Sequence, residues 1–96
     1  MKDLPLATAF GGATEHLVQA LAVDPAPIRV NTVCPGLVLT EHLAEWPPEM
    51  IRHMTARQPI PRAADPTEAA QAYLHLMRAG YTTGQVIIVD GGGMLV

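Results

Sequence analysis

The chain of 96 residues has room for one small domain, and its apolar content of 49%, against 16% charged residues, indicates a folded interior rather than disorder. A net charge of −3 offers no basic surface for nucleic acid or an anionic membrane. The single cysteine, Cys34, excludes an intrachain disulfide, and no apolar run approaches the ~20 residues of a membrane helix. We therefore expect residues 1–96 to form one cytoplasmic domain without a nucleic-acid or membrane partner.

The first predicted element is a helix from Thr8 to Val23. Leu17 and Leu21 lie four residues apart and, with the surrounding alanines, give the segment helical periodicity. Residues 24–27, Asp-Pro-Ala-Pro, end the helix because proline has no N–H to donate and disfavours helix in the residue before it.

A strand is predicted next, from Ile28 to Val33, because the segment is rich in β-branched residues and is bounded by prolines. Pro35 and Gly36 end it. Residues 41–64 are expected to be irregular except for one helix that begins at Pro47 or Pro48 and ends at Arg57, since proline suits the first turn of a helix.

The helix from Pro66 to Arg78 carries the clearest local signals. Asp65 is a good N-cap and Glu68 is the third helical residue, which together predict a capping box. Gly80 is expected to close the helix. The residues predicted on its inner side are Ala69, Ala70, Tyr73, Leu74 and Met77.

The last predicted strand runs from Gln85 to Val89, and its continuous apolar run predicts burial on both faces. Asp90 and the three glycines after it form a turn. The element order is therefore α-β-α-α-β. We expect Ile28–Val33 and Gln85–Val89 to be parallel neighbours, with the Pro66–Arg78 helix packed across them.

Three separate segments carry a resemblance to a known family: IRVNTVCPGLVLTE, PIPRAADPTEAA and YTTGQVIIVDGGG. In this order and spacing they resemble the C-terminal third of the short-chain dehydrogenase/reductases, and the preceding ATEHLVQALAV is similar to the helix before them. The resemblance covers Ala9 to Leu95. It implies an α/β fold, partial and Rossmann-like, that is the C-terminal segment of a doubly wound parallel sheet, and an oxidoreductase that uses NAD or NADP.

The resemblance also implies a role for the turn after the first strand, because ligands bind beyond the carboxyl ends of the strands in open α/β sheets. Pro35 and Gly36 would let the backbone pass close to the nicotinamide. The main chain of Leu37 and Val38 would hydrogen-bond the carboxamide, and Thr40 would reach toward the phosphates or the amide. The alternative is that Pro35 and Gly36 form only a tight turn.

The family's catalytic groups are not expected in this chain. No glycine-rich turn of the kind that binds a pyrophosphate opens a strand–turn–helix unit, and Gly91–Gly93 is not followed by a helix. The family's catalytic tyrosine and lysine would fall at Ala7 and Gly11, which carry neither an acidic proton nor a charge. We therefore assign no catalytic residue and expect little NAD(P) binding by the chain alone.

Other groups that could carry chemistry have plainer explanations: Tyr73, Tyr81, His42, His53 and Cys34. Both tyrosines are predicted to pack against neighbouring elements, and Cys34 to act as a small buried hydrophobe. The two histidines flank the loop that, in the family, covers the substrate. Histidines at such a place more often have no chemical role than a catalytic one. The four histidines lack ligand spacing, so no zinc site is predicted.

Two kinds of function remain open. The first is a fragment of an NAD(P)-dependent reductase, inactive alone, with a variable substrate lid from Glu41 to Ala64. The second is a non-catalytic interaction module, because the family assembles through the segments that match Thr8–Val23 and Pro66–Val89. The expected partner is a second copy of this chain or another family member, and the open strand edge at Ile28–Val33 favours such pairing.

Overall fold

The computed structural model describes the backbone of residues 5–24 and 26–96 and the side chains of residues 12–24 and 26–96. The elements follow one another in the predicted order, with two short additions. In chain order they are helix α1 (Pro5–Val23), strand β1 (Thr32–Pro35), helix α2 (Glu41–Ala44), helix α3 (Pro48–Thr55), helix α4 (Pro66–Arg78), strand β2 (Val86–Val89) and a 3₁₀ turn (Gly93–Leu95).

Two of the predicted helix bounds need correction. Within the described residues, helix α1 already includes Pro5, ahead of the predicted start at Thr8, and it runs through the glycine pair without a break. Helix α3 ends at Thr55 rather than Arg57. The short helix α2 was not predicted, because four residues are too few to show a periodicity.

The sheet of the described residues has two strands, and they are parallel, as predicted. Thr32 pairs with Val86 and Pro35 with Val89. Strand β1 lies four residues later at its start and two residues later at its end than the predicted Ile28–Val33. The reason is that the preceding residues bond to the loop before β2 outside the ladder: the Gly84 N–H donates to the Val30 carbonyl over 2.7 Å.

Helix α4 packs against both strands, and its predicted start is confirmed in detail. The Asp65 side chain accepts the Thr67 N–H, while the Glu68 carboxylate accepts the Asp65 N–H, both over 2.9 Å. The end differs from the prediction. Gly80 does not adopt the left-handed conformation, and the last turn closes through the Ala79 N–H on the His75 carbonyl.

The buried face of α4 agrees with the prediction at Ala69 and differs from it at the other predicted inner residues. Ala69 and Leu76 are buried, whereas Tyr73 and Leu74 are about half exposed and Met77 is 73% exposed. The helix therefore meets the sheet along the row that contains Ala69 and Leu76, seven residues apart. A second apolar row, which sequence periodicity alone does not distinguish from the first, is left uncovered among the described residues.

Strand β2 is likewise not buried on both faces. Ile88 is 46% exposed and the other three residues are only half-buried. The core within the described residues is small. Its buried apolar members are Val18, Ala22, Leu43, Ala63, Ala69 and Leu76.

Arg29 joins the start of β1 to the end of α4. Its guanidinium donates to the Leu76 carbonyl over 2.7 Å and to the Met77 carbonyl over 3.2 Å. A cation at this end of a helix bonds carbonyls that have no partner within the helix and faces the negative end of its dipole. Two residues later, the Asn31 amide donates to the Thr82 carbonyl and accepts the Gln85 N–H, both over 3.0 Å. These contacts fix where the parallel ladder begins.

Candidate functional site

The carboxyl ends of β1 and β2 meet at Gly36. Its N–H donates to the Val89 carbonyl over 2.9 Å, which continues the ladder by one bond. A Cβ at position 36 would lie 2.9 Å from both Cα and Cβ of Asp90, a distance that real contacts do not reach. Glycine is therefore required here by the neighbouring strand, a reason separate from the close approach of a cofactor that the sequence resemblance implies.

The loop after Gly36 is held by one residue from the far end of the lid. The Ala64 N–H donates to the Leu37 carbonyl, and the Leu39 N–H donates to the Ala64 carbonyl, both over 2.8 Å. Val38 and Ala64 thus form an isolated parallel bridge. Among the described residues the backbone N–H groups of Leu37 and Val38 have no hydrogen-bond acceptor. Two donors are left beside the strand ends, where a ligand amide or carbonyl can accept them.

Thr40 caps helix α2. Its hydroxyl oxygen accepts the Leu43 N–H over a long 3.5 Å, and Leu43 is buried. Because the hydroxyl acts as an acceptor in this bond, its own proton remains available for a second partner. The residue is exposed, at the first turn of the lid.

The turn after β2 is a structural turn rather than a phosphate site. The Asp90 carboxylate accepts the N–H of Gly92 over 2.9 Å and that of Met94 over 3.0 Å, so it uses the donors that a phosphate would need. Gly91 and Gly92 have positive φ angles of 65° and 84°. A Cβ on Gly92 would lie 2.7 Å from the Pro59 ring, and the Gly91 carbonyl accepts the Ile60 N–H.

Asp90 was not singled out as a site residue from the sequence. An aspartate followed by glycines is a known signal for a side chain that bonds backbone N–H groups two residues on, and that signal would have identified it. No local signal marks Ala64, because its role depends only on its backbone and on a partner far along the chain.

A cleft of about 600 Å³ opens beside these turns, and we call it the strand-end cleft. Its lining includes Pro35, Gly36 and Leu37 from the loop, Met54 and Gln58 from the lid, and Ile88 from β2. No basic side chain of the described residues lines it. The cleft therefore suits an uncharged amide or ring and offers no cationic partner to a pyrophosphate.

These observations test whether the residues present fit a nicotinamide dinucleotide. The predicted residues Pro35, Gly36 and Leu37 line one cleft, and the free N–H groups of Leu37 and Val38 suit a carboxamide. Val38 and Thr40 do not line the cleft: Val38 forms the bridge with Ala64, and Thr40 lies at the adjoining helix start. The described residues fit the nicotinamide end of the dinucleotide and not its phosphates.

Cys34 also lines the strand-end cleft and is half-buried. Burial raises the pKa of its thiol above the ordinary value, and the nearby Glu15 carboxylate raises the pKa further. The thiol is therefore neutral near pH 7 and a poor nucleophile, as expected of a small hydrophobic residue.

The tyrosines and histidines lie away from this cleft. Tyr73 is 49% exposed and Tyr81 fully exposed, so the expectation that both pack against neighbours is wrong within the described residues. His53 is exposed on α3, and the His42 ring contacts the edge of Trp46 with centroids 6.0 Å apart. No cluster of potential metal ligands occurs in the described part of the chain. The side chains of Ala7 and Gly11 lie outside the described residues.

Arg62 and Glu68 connect the lid to α4 beside the Val38–Ala64 bridge. The guanidinium donates to both carboxylate oxygens, over 2.7 and 2.9 Å, and Glu68 also accepts the Asp65 N–H. The bond from Arg62 is the main cause that lowers the pKa of Glu68 to about 2. The pair is partly exposed, so its contribution depends on pH and salt.

Comparisons with known proteins agree with this fold. The model of a family described as Enoyl-(Acyl carrier protein) reductase matches residues 4–93. The chain is 38% identical to ketoacyl reductase 2 of the granaticin polyketide synthase from Streptomyces violaceoruber, over 98% of this chain and 39% of that protein. It is also 38% identical to a 3alpha-hydroxysteroid dehydrogenase from Mediterraneibacter gnavus, over 86% of this chain and 33% of that protein.

Solved structures agree with the sequence relatives. A small-chain dehydrogenase crystallised with NADPH superposes with a TM-score of 0.87 at 32% identity, over 100% of this chain and 46% of that one. The MalC reductase/Diels-Alderase from Malbranchea aurantiaca superposes with a TM-score of 0.85 at 37% identity, over 96% of this chain and 35% of that one. No described helix is both long and apolar enough to span a bilayer.

An α/β protein with its candidate site at the carboxyl ends of parallel strands is the class that the fold defines. Within that class, the chain belongs to the short-chain dehydrogenase/reductase family, whose cofactor is NAD(P). The match is to part of the fold: the chain spans about a third of the length of the curated relatives that it matches.

We predict that Gly36→Ala destabilises the chain, because the new Cβ meets Asp90 at 2.9 Å and forces the two strand ends apart. Overpacking of this kind typically costs about 1–3 kcal/mol in the free energy of unfolding, measurable by urea unfolding. Gly12→Ala is the matched control. A Cβ there has nothing within 4 Å, and alanine in place of glycine favours a helix by up to about 1 kcal/mol. Equal effects of the two substitutions would contradict the role given to Gly36.

We predict that the Arg62–Glu68 pair makes stability fall in acid. The folded pKa of Glu68, about 2, lies below the unfolded value near 4.3, so the stabilisation is complete above about pH 5 and is lost as pH falls toward 2. Glu68→Gln keeps an oxygen for the Asp65 N–H and removes the charge. The difference in unfolding free energy between the native chain and this variant should therefore shrink from pH 6 to pH 3. A difference that stays constant over this range would contradict the prediction.

Proposed function

We propose that this chain is the C-terminal part of an NAD(P)-dependent short-chain dehydrogenase/reductase and is inactive by itself. Its contribution is the loop that binds the nicotinamide carboxamide and the lid that covers the substrate. The observation that carries this proposal is the pair of N–H donors at Leu37 and Val38, without an acceptor among the described residues at the point where both strands end.

The donors suit a carboxamide because its carbonyl oxygen accepts hydrogen bonds in the plane of the amide. Among the described residues the Val38 carbonyl accepts one hydrogen bond, from the Thr40 N–H, and it keeps a second lone pair for the carboxamide NH₂ group. The bridge from Ala64 holds the loop from the other side, so its shape does not depend on the ligand. A preformed loop of this kind loses little conformational entropy on binding.

The chain alone has few means to hold the rest of the dinucleotide or to transfer a proton. No basic side chain of the described residues lines the strand-end cleft. After Asp90, the Gly92 N–H is occupied by its carboxylate and the Gly93 N–H by its backbone carbonyl. Ala7 and Gly11 stand where the family resemblance places tyrosine and lysine. Loss of a general acid alone typically costs about 10²–10⁴ in rate.

The test is a titration of the ¹⁵N-labelled chain with nicotinamide mononucleotide, with ADP-ribose as the matched control that lacks the nicotinamide. We expect the amide signals of Leu37 and Val38 to shift with the first ligand, with weak affinity, and not with the second. We expect no NADPH oxidation above background with ketones and aldehydes. Shifts by ADP-ribose alone would contradict the carboxamide assignment. NADPH turnover that Gly36→Val abolishes would contradict the inactivity.

A second candidate function, a non-catalytic interaction module, is favoured by the uncovered apolar faces. Leu17 and Leu21 on α1 are 56% and 43% exposed, and Met77 on α4 is 73% exposed. We propose that these two faces bind a second copy of the chain or another family member. The single cysteine suits a reducing compartment, and we propose the cytoplasm as the place of action.

Light scattering after gel filtration tests the module. We expect the native chain to elute as a dimer or larger assembly. Leu17→Glu combined with Met77→Glu should shift it toward the monomer, because a charge on each apolar face opposes burial. Gln71→Glu, on an exposed part of α4, is the control and should leave the mass unchanged. A monomeric native chain would contradict this second function and leave the first standing.

A further inference from the structure

A second cleft lies within the lid and is separate from the strand-end cleft. It has a volume of about 510 Å³, and the two clefts share no lining residue. We call it the lid cleft. The lining residues that bear on its chemistry are Leu39, Trp46, Ile51, Arg52, Thr55 and Pro61. All lie between residues 39 and 65, so the cleft is formed by one local segment of the chain.

Most of the polar groups in the lid cleft already have partners. The Thr55 hydroxyl donates to the Ile51 carbonyl over 2.9 Å, and the residue is almost fully buried. Arg62 bonds both oxygens of Glu68, and the Asp65 Oδ1 accepts both the N–H and the hydroxyl of Thr67. The Asp65 Oδ2 keeps no partner among the described residues. With the other groups engaged, the walls of the cleft present mainly hydrocarbon and the ring of Trp46.

Arg52 differs from the other polar groups of the cleft. Its guanidinium makes one contact with the described residues, from Nη2 to the Glu49 carboxylate over 3.3 Å, and its side chain is 70% exposed. The other N–H groups of this fork have no acceptor among the described residues. A guanidinium fork binds a carboxylate with two parallel hydrogen bonds. The lid cleft thus combines an apolar interior with one cation whose donors are mostly unused.

We propose that the lid cleft binds an apolar monocarboxylate. The hydrocarbon part lies against Trp46 and Ile51, and the carboxylate bonds Arg52 in competition with Glu49. The volume is in the range of small-molecule sites, which is typically about 300–1,000 Å³. This site is independent of the nicotinamide contacts, because none of its lining residues belongs to the strand-end cleft.

The test uses Trp46, the single tryptophan of the chain, as the reporter. The full chain is titrated with sodium octanoate, and the emission of Trp46 is followed. We expect saturable binding that Arg52→Gln weakens about fivefold, the upper limit for an exposed ion pair. Glu49→Gln should strengthen binding, because it removes the competing carboxylate. Both side chains are exposed, so neither substitution disturbs the fold, which circular dichroism checks.

Three controls separate this proposal from plain apolar adsorption. With 1-octanol as the ligand, Arg52→Gln should have no effect. Arg57→Gln removes a positive charge just after α3 that does not line the cleft, and Met54→Ala alters only the strand-end cleft. Both should leave octanoate binding unchanged. The proposal is overturned by the absence of saturable octanoate binding, by equal losses in Arg52→Gln and Arg57→Gln, or by weaker binding in Glu49→Gln.

Discussion

The parallel pairing of β1 with β2 is the interaction on which the rest of the structure depends. Helix α4 crosses between the strands, Arg29 fixes the end of that helix to the start of β1, and Gly36 lets the two strand ends close against Asp90. Because the strands stop together, the loop that begins at Leu37 emerges beside the turn that follows β2. The backbone donors of the candidate site are positioned by this register and by the bridge to Ala64.

A feature of this fold can be predicted from the sequence when the residues that determine it lie close together in the chain. The capping box at Asp65 and the parallel order of the strands are confirmed, because both follow from local residue types and from element order. The predicted start of β1 is wrong, and of the predicted inner residues of α4 only Ala69 is buried. Both features depend on partners outside the element itself, such as Leu76 for Arg29. The Ala64 bridge has no local signal. The roles of Leu37 and Val38 in binding remain predictions.

The uncovered apolar faces occur in a chain that spans about a third of the length of its curated relatives. A domain of this size buries roughly 60–65% of its unfolded surface even when its sheet is complete. Here the sheet of the described residues has two strands, and its residue Ile88 is about half exposed. Leu17 and Met77 also remain accessible to solvent. The curated relatives reported above are about three times longer, and the small-chain dehydrogenase crystallised with NADPH is about twice as long. Apolar faces of this kind are buried when they pack against another polypeptide chain.

The bridge between Val38 and Ala64 has a consequence for the segment that it closes. It fixes the two ends of residues 39–63 at one point of the scaffold, so that the segment between them is a closed excursion from the sheet. The entropy of closing such a loop grows only with the logarithm of its length, by about 0.6 kcal/mol for each doubling. Pro59 and Ile60 contact the turn after β2, so the part of the excursion before them is the part that can be lengthened or shortened with little effect on the strand register. Selectivity for a substrate can therefore change through this segment while the strand ends keep their positions.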